Sequence, residues 1–134
     1  MIYLDSSAAM KLVWSEEETT ALIEWLERAP DEPVITSELG RVEVLRAARR
    51  LGDEAVTAQA RAVIAEFDLI ALDRTVKDLA CDIADPPLRT LDALHLASAL
   101  VVREHLSAFV AYDHRLATAA RDAGLEVAAP GQAP

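Results

Sequence analysis

Short apolar, β-prone stretches alternate with segments of helical periodicity along this chain, and that alternation constrains its fold more than any other feature. The stretches are "IYL" at Ile2 to Leu4, "VITS" ending at Ser37, "FDLIALD" ending at Asp73, "AFVAYD" ending at Asp113 and "LEVAA" before the end. Strands interleaved with helices are joined by right-handed crossovers, so they lie parallel in one sheet covered on both faces. The expected class is α/β, with a mostly parallel sheet of four to five strands. In such a sheet the strand carboxyl ends share one edge, and ligands bind there where the strand order reverses. Asp5, Asp73 and Asp113 all end strands and are expected on that edge. Each has two readings open to it: a cap for the following helix, or a carboxylate that faces a crevice and holds a ligand.

The helical segments follow from their punctuation. "SSAAMKLVW" and "EEETTALIEWLERA" read as two helices, with Glu16 to Glu18 suiting the positive end of the second, and "APDEP" breaks the pattern. Ser37 is a suitable cap for "ELGRVEVLRAARRL", which stops near Gly52; Asp53 starts a helix to about Glu66, and another runs from Thr75 to about Ala84. "DPPLRT" is a loop. The helix from Leu91 to about His105 is apolar nearly all round, which implies burial in the middle of the domain. "HRLATAARDAG" is a last helix closed by Gly124. With 134 residues, 1–129 are expected to make one domain and 130–134 to fray.

Two further acids stand out. Asp92 sits where a nearly all-apolar helix begins; it is either a first-turn acid facing the helix dipole or a charge that needs a partner or a metal. Glu43 lies inside a helix, where no cap is needed, and borders its apolar stripe; the alternative to a functional role is an i,i+3 pair with Arg46. His95 reads as a satisfied core histidine, and Trp14 and Trp25 as packing residues. There is no Gly-rich phosphate loop, and Ser6 and Ser7 lack the setting of a serine nucleophile. The net charge of −10 excludes a broadly basic nucleic-acid surface, leaving Arg41, Arg46, Arg49 and Arg50 as a local strip or a solvated helix face. The lone Cys81 permits no intrachain disulfide and is expected to be a buried thiol, which suits a reducing cytoplasm. No leader is visible, and the longest uncharged run, 93–102, is far short of the roughly twenty residues of a membrane span, so a soluble cytoplasmic protein is expected.

Together and in order, "YLDSSAAMKL", "TSELGRVEVLRA", "LDALHLASAL" and "AYDHRLATAA" resemble the PIN-domain ribonucleases of the VapC toxin type across essentially the whole chain. The resemblance implies a three-layer α/β/α sandwich and an acidic centre formed by Asp5, Glu43, Asp92 and Asp113, with Ser7 as its small hydroxyl residue. Asp73 matches no position of that centre. It also implies Mg²⁺ or Mn²⁺, endonucleolytic cleavage of transfer or ribosomal RNA, a VapB-type antitoxin partner and a toxin homodimer. On this reading Asp5, Asp92 and Asp113 hold the metal directly or through water and Glu43 positions a water or helps a second ion, while Arg46, Arg49 and Arg115 are candidate contacts to the RNA backbone. The rival readings are a non-catalytic module that binds RNA or protein, and an aspartate-nucleophile phosphatase. The latter lacks the second acid of its D-x-D motif, because position 7 is Ser.

Overall fold

The computed structural model describes residues 1–84 and 87–133. Its elements follow the expected order: β1 (Ile2–Leu4), α1 (Ser6–Met10), α2 (Thr19–Glu27), β2 (Val34–Ser37), α3 (Glu38–Arg50), α4 (Glu54–Ala65), β3 (Asp68–Ile70), α5 (Arg74–Asp82), α6 (Thr90–Leu100), β4 (Ala108–Val110), α7 (His114–Asp122) and β5 (Val127–Ala128). All five strands are parallel, in the order β3-β2-β1-β4-β5. The α/β sandwich with a parallel sheet is therefore the observed architecture.

Alternation along the central strands sends side chains to two cores. Ile2, Leu4 and Val110 pack on one face with α1, Leu22 of α2, Val44 and Ala48 of α3 and Ile64 of α4. Tyr3 and Phe109 point to the other, where Leu96 and Ala99 of α6 and Leu116, Ala119 and Ala120 of α7 cover them. The Tyr3 and Phe109 rings stack with centroids 5.2 Å apart. Trp14 and Trp25 are half-buried against the first core, as packing residues should be.

Several boundaries differ from the sequence reading for local reasons. The first helix is a single turn and a half that ends at Met10, and the buried helix ends at Leu100, with Arg103–His105 forming a separate 3-10 turn. Cys81 is exposed, on the side of α5 opposite buried Val76; its aliphatic neighbours in sequence are not its neighbours in space. The "DPPLRT" loop loses residues 85–86 to the region outside the described residues. The stretch after Ala129, read as a fraying end, makes three hydrogen bonds: Tyr112 Oη donates to Pro130 O at 2.9 Å, Gln132 Nε2 to Tyr112 O at 3.2 Å, and Gln132 N to Ala129 O at 3.0 Å. Lys11 supports the same corner, with its ammonium 4.6 Å from the Tyr112 ring centroid and ion-paired to Glu18 at 2.9 Å and Glu16 at 3.3 Å.

Gly40 marks the closest approach of α3 to the sheet and α6. A Cβ there would lie 2.3 Å from Thr36 Oγ1 and 3.3 Å from His95 Cε1. Alanine ordinarily stabilises a helix interior by up to about 1 kcal/mol over glycine. Here the clash reverses the sign: Gly40→Ala should lower stability by about 1–3 kcal/mol, measured by urea unfolding.

Candidate active site

The strand order reverses beside β1: the chain winds through β2 and β3 to one side, then β4 enters on the other. Asp5 and Asp113 follow these two neighbouring strands and so flank the crossover. The Asp5 backbone is tied directly across it, donating to Val110 O at 3.2 Å. Both carboxylates cap helices. Asp5 Oδ1 accepts from Ala8 N at 2.8 Å and Ser7 Oγ at 2.9 Å, and Asp113 Oδ1 from Leu116 N at 2.9 Å. Capping and ligand binding therefore do not compete, because these bonds all fall on Oδ1 and the cap leaves the second oxygen unengaged. Asp73 also caps, accepting from Val76 N at 3.0 Å, but it is exposed and follows the edge strand β3. Two strand spacings, about 10 Å, separate β3 from β1. Its distance from the crossover is what distinguishes it.

The other two acids arrive from helices. Asp92 lies in the first turn of α6, whose N-cap, Arg89, makes no side-chain capping bond. Burial pushes its carboxyl above the ordinary 3.8, and Asp113 and Glu43 add to the rise against the opposing pull of His95 and Arg89. Asp5 is also raised, first by burial, with Asp92 contributing, although the Ala8 N–H, His95 and the Ser7 hydroxyl oppose it. Asp5, Glu43 and Asp113 thus each lie within electrostatic reach of Asp92. A cleft of about 190 Å³ opens on two of them, Asp92 and Asp113, and is lined also by Leu88, Arg89 and Arg115, but not by Asp5 or Glu43.

Of the arginines singled out in the sequence, Arg115 lines this cleft, whereas Arg46 and Arg49 are exposed on α3 and do not. Glu43 is paired with His95, its Oε1 2.6 Å from Nε2, instead of with Arg46. Sequence reasoning passed over Arg89, which looked like part of a loop, and His95, which was assigned to the core. His95 is indeed only 2% exposed, but its second ring nitrogen, Nδ1, is 2.8 Å from Tyr3 Oη. The available signal was chemical: a histidine on an otherwise apolar helix must find partners for two ring nitrogens.

Hard carboxylate oxygens from four separate elements, with two arginines against four acids, suit a hard divalent cation. Mg²⁺ takes only one or two protein carboxylates and keeps much of its water, so an open set suffices. Among the described residues no three His, Cys, Asp or Glu side chains form a ready-made cage.

This fold, with acids gathered at the crossover edge, defines a class. The chain belongs to the PIN-domain family, whose family model, described as PIN domain, matches residues 2–122. Within that class it is similar to VapC ribonucleases. It is 44% identical to Ribonuclease VapC47 of Mycobacterium tuberculosis over 98% of both chains, and 42% identical to Ribonuclease VapC35 of the same species over 99% of both. Among solved structures, VapBC2 from Rickettsia felis bound to a promoter DNA fragment matches with a TM-score of 0.77 at 12% identity, covering 97% of this chain and 99% of that one. Among the described residues no helix is long and apolar enough to cross a membrane.

The raised Asp92 carboxyl has a consequence for stability. The folded protein holds this proton more tightly than the unfolded chain, so the unfavourable contribution of the carboxylate is absent below about pH 3.8 and complete above its raised folded value. Asp92→Asn in EDTA should therefore melt at a higher temperature than the parent near neutral pH, with the gain shrinking as the pH falls towards 3.8. A lower melting temperature near neutrality would mean that attraction to the helix dipole outweighs burial and repulsion.

Proposed function

We propose that this protein is a divalent-metal-dependent endoribonuclease, the toxin of a toxin–antitoxin pair. The observation that carries the reading is that Asp92 and Asp113 share a cleft beside the strand crossover of a PIN domain, with Asp5 and Glu43 each coupled electrostatically to Asp92. Relatives of 42% and 44% identity named ribonucleases support it. Asp5, Asp92 and Asp113 would hold Mg²⁺, or Mn²⁺, each through oxygens not consumed by helix capping. The cation, when bound, supplies positive charge to phosphate oxygens and makes a nearby water more acidic.

The chain's own residues do the rest. Ser7 donates to Asp5 Oδ1 and holds that carboxylate in one orientation. Glu43 orients the attacking water and accepts its proton. Water attacks phosphorus in line, the bond to the 3′ oxygen breaks, and that oxygen leaves as a hydroxyl after taking up a proton. The products carry 5′-phosphate and 3′-hydroxyl ends. Arg115 and Arg89, at the cleft, hold the phosphates flanking the cut, with Arg46 and Arg49 further out along the strand. The RNA is a transfer or ribosomal RNA, and the protein acts in the cytoplasm as a homodimer blocked by a VapB-type antitoxin. Similarity to VapC proteins, one of them solved as the VapBC2 pair, supports the partner assignment.

Antitoxin-free protein incubated with total cellular RNA should give discrete fragments with Mg²⁺ or Mn²⁺ and none with EDTA. Asp92→Asn should lower cleavage by at least about 100-fold while the fold is retained. Fragments ending in 2′,3′-cyclic phosphate would overturn the water-attack route, and RNA binding without cleavage by any variant would favour a binding module. Arg115→Glu should weaken RNA retention in a filter-binding assay more than Arg46→Glu, because only Arg115 lines the cleft.

A further inference from the structure

Behind Glu43 runs a chain of two polar groups, His95 and Tyr3, to which the proposed reaction assigns no part. Tyr3 is fully buried between Phe109 and the edge of the His95 ring, with Tyr3 and His95 centroids 5.9 Å apart at 81°. Its hydroxyl lies 2.8 Å from His95 Nδ1, and His95 Nε2 lies 2.6 Å from Glu43 Oε1. These three residues belong to β1, α6 and α3, far apart in sequence. A neutral imidazole has one donor and one acceptor. The Glu43 carboxylate can only accept, so Nε2–H donates to it; Nδ1 is then the acceptor, and the Tyr3 hydroxyl donates to Nδ1. Every bond in the chain has a matched donor and acceptor, and every one points towards Glu43.

The surroundings are built for this ring. Gly40, one turn before Glu43 on α3, is where a Cβ would come within 3.3 Å of His95 Cε1. Thr36 Oγ1, in contact range of the same missing Cβ, is a buried hydroxyl with no hydrogen-bond partner among the described residues. Apolar residues at positions 3 and 95 would fill the core without requiring that arrangement.

We propose that His95, oriented from behind by Tyr3, is a positioning residue that fixes the Glu43 carboxylate within electrostatic reach of the cleft acid Asp92. The proposal rests on the reading of Glu43 as the acid that orients the attacking water. An outer partner that holds a working carboxylate in one rotamer usually matters by about 10- to 100-fold in activity.

Two measurements test it. The first needs neither metal nor RNA: the ring nitrogens of His95 in ¹⁵N-labelled protein should report protonated Nε2 and unprotonated Nδ1. Tyr3→Phe should disturb the Nδ1 signal, and a crystal structure of His95→Leu should show Glu43 displaced. A proton on Nδ1, or a Glu43 that keeps its place in His95→Leu, overturns the proposal. The second is single-turnover cleavage of total cellular RNA, read at the mapped cut sites. His95→Leu should cut about 10- to 100-fold more slowly with unchanged RNA retention. His95→Gln, which keeps a donor near the Nε2 position, should recover most of the rate, and Tyr3→Phe should lose less than His95→Leu. Should His95→Leu fail to fold, the glutamine and phenylalanine variants decide, and a wild-type rate in Tyr3→Phe together with cleavage in His95→Gln that is slowed by as much as about 10- to 100-fold overturns the proposal. Loss of cleavage in Glu43→Ala with full cleavage in His95→Leu refutes the positioning role alone. Full cleavage in Glu43→Ala refutes the functional reading of Glu43 itself.

Discussion

The parallel pairing of β1 between β2 and β4 is the constraint on which the rest of the molecule depends. It puts the first strand of the chain at the centre of the sheet, so both faces of a three-residue strand must be buried. Ile2 and Leu4 serve one core and Tyr3 the other. The same placement sets Asp5 at the reversal of strand order, next to the end of β4. Its carboxylate there is almost wholly buried, and its own backbone N–H is spent on holding β4. A charge at such a point is unfavourable unless something compensates it, and part of the compensation is local, through the Ala8 N–H and the Ser7 hydroxyl.

The cleft acids and the buried Tyr3–His95–Glu43 chain occupy the same edge but solve different physical problems. The acids gather like charges in one place, and burial together with that repulsion raises Asp5 and Asp92. The buried chain brings hydrogen-bonding groups from the core out to one of those acids. Gly40 connects the two, because the absence of its side chain is what lets α3 and α6 approach closely enough for Glu43 and His95 to meet.

Much of this was legible in the sequence. The strand–helix alternation led to the parallel sheet, and each of Ser37, Asp53, Asp73 and Asp113 caps the helix it was expected to start. Asp5 was legible as a strand-end acid for the same reason. The apolar helix containing His95 was legible as central, since it had no polar face to give to solvent. Less was legible for Cys81, whose aliphatic sequence neighbours suggested burial although its side of α5 faces out. Glu43 also eluded local reasoning, which offered Arg46 as its partner, whereas the true partner lies 52 positions away in sequence.

By itself, then, the sequence determined the elements, their order, their caps and the class of sheet, because those depend on periodicity and on residues a few positions apart. It also supplied the resemblance that set Asp73 apart from Asp5 and Asp113, a distinction periodicity could not make. Only the tertiary structure decided which strand-end acids are neighbours, since that depends on strand order and not on strand sequence. Tertiary packing likewise decided the partner of Glu43, the choice of Arg89 and Arg115 over Arg46 and Arg49 at the cleft, and the role open to His95. Hydrogen bonds and charge interactions act over a few ångströms of space, and the chain separation between the groups they join carries no information about that distance.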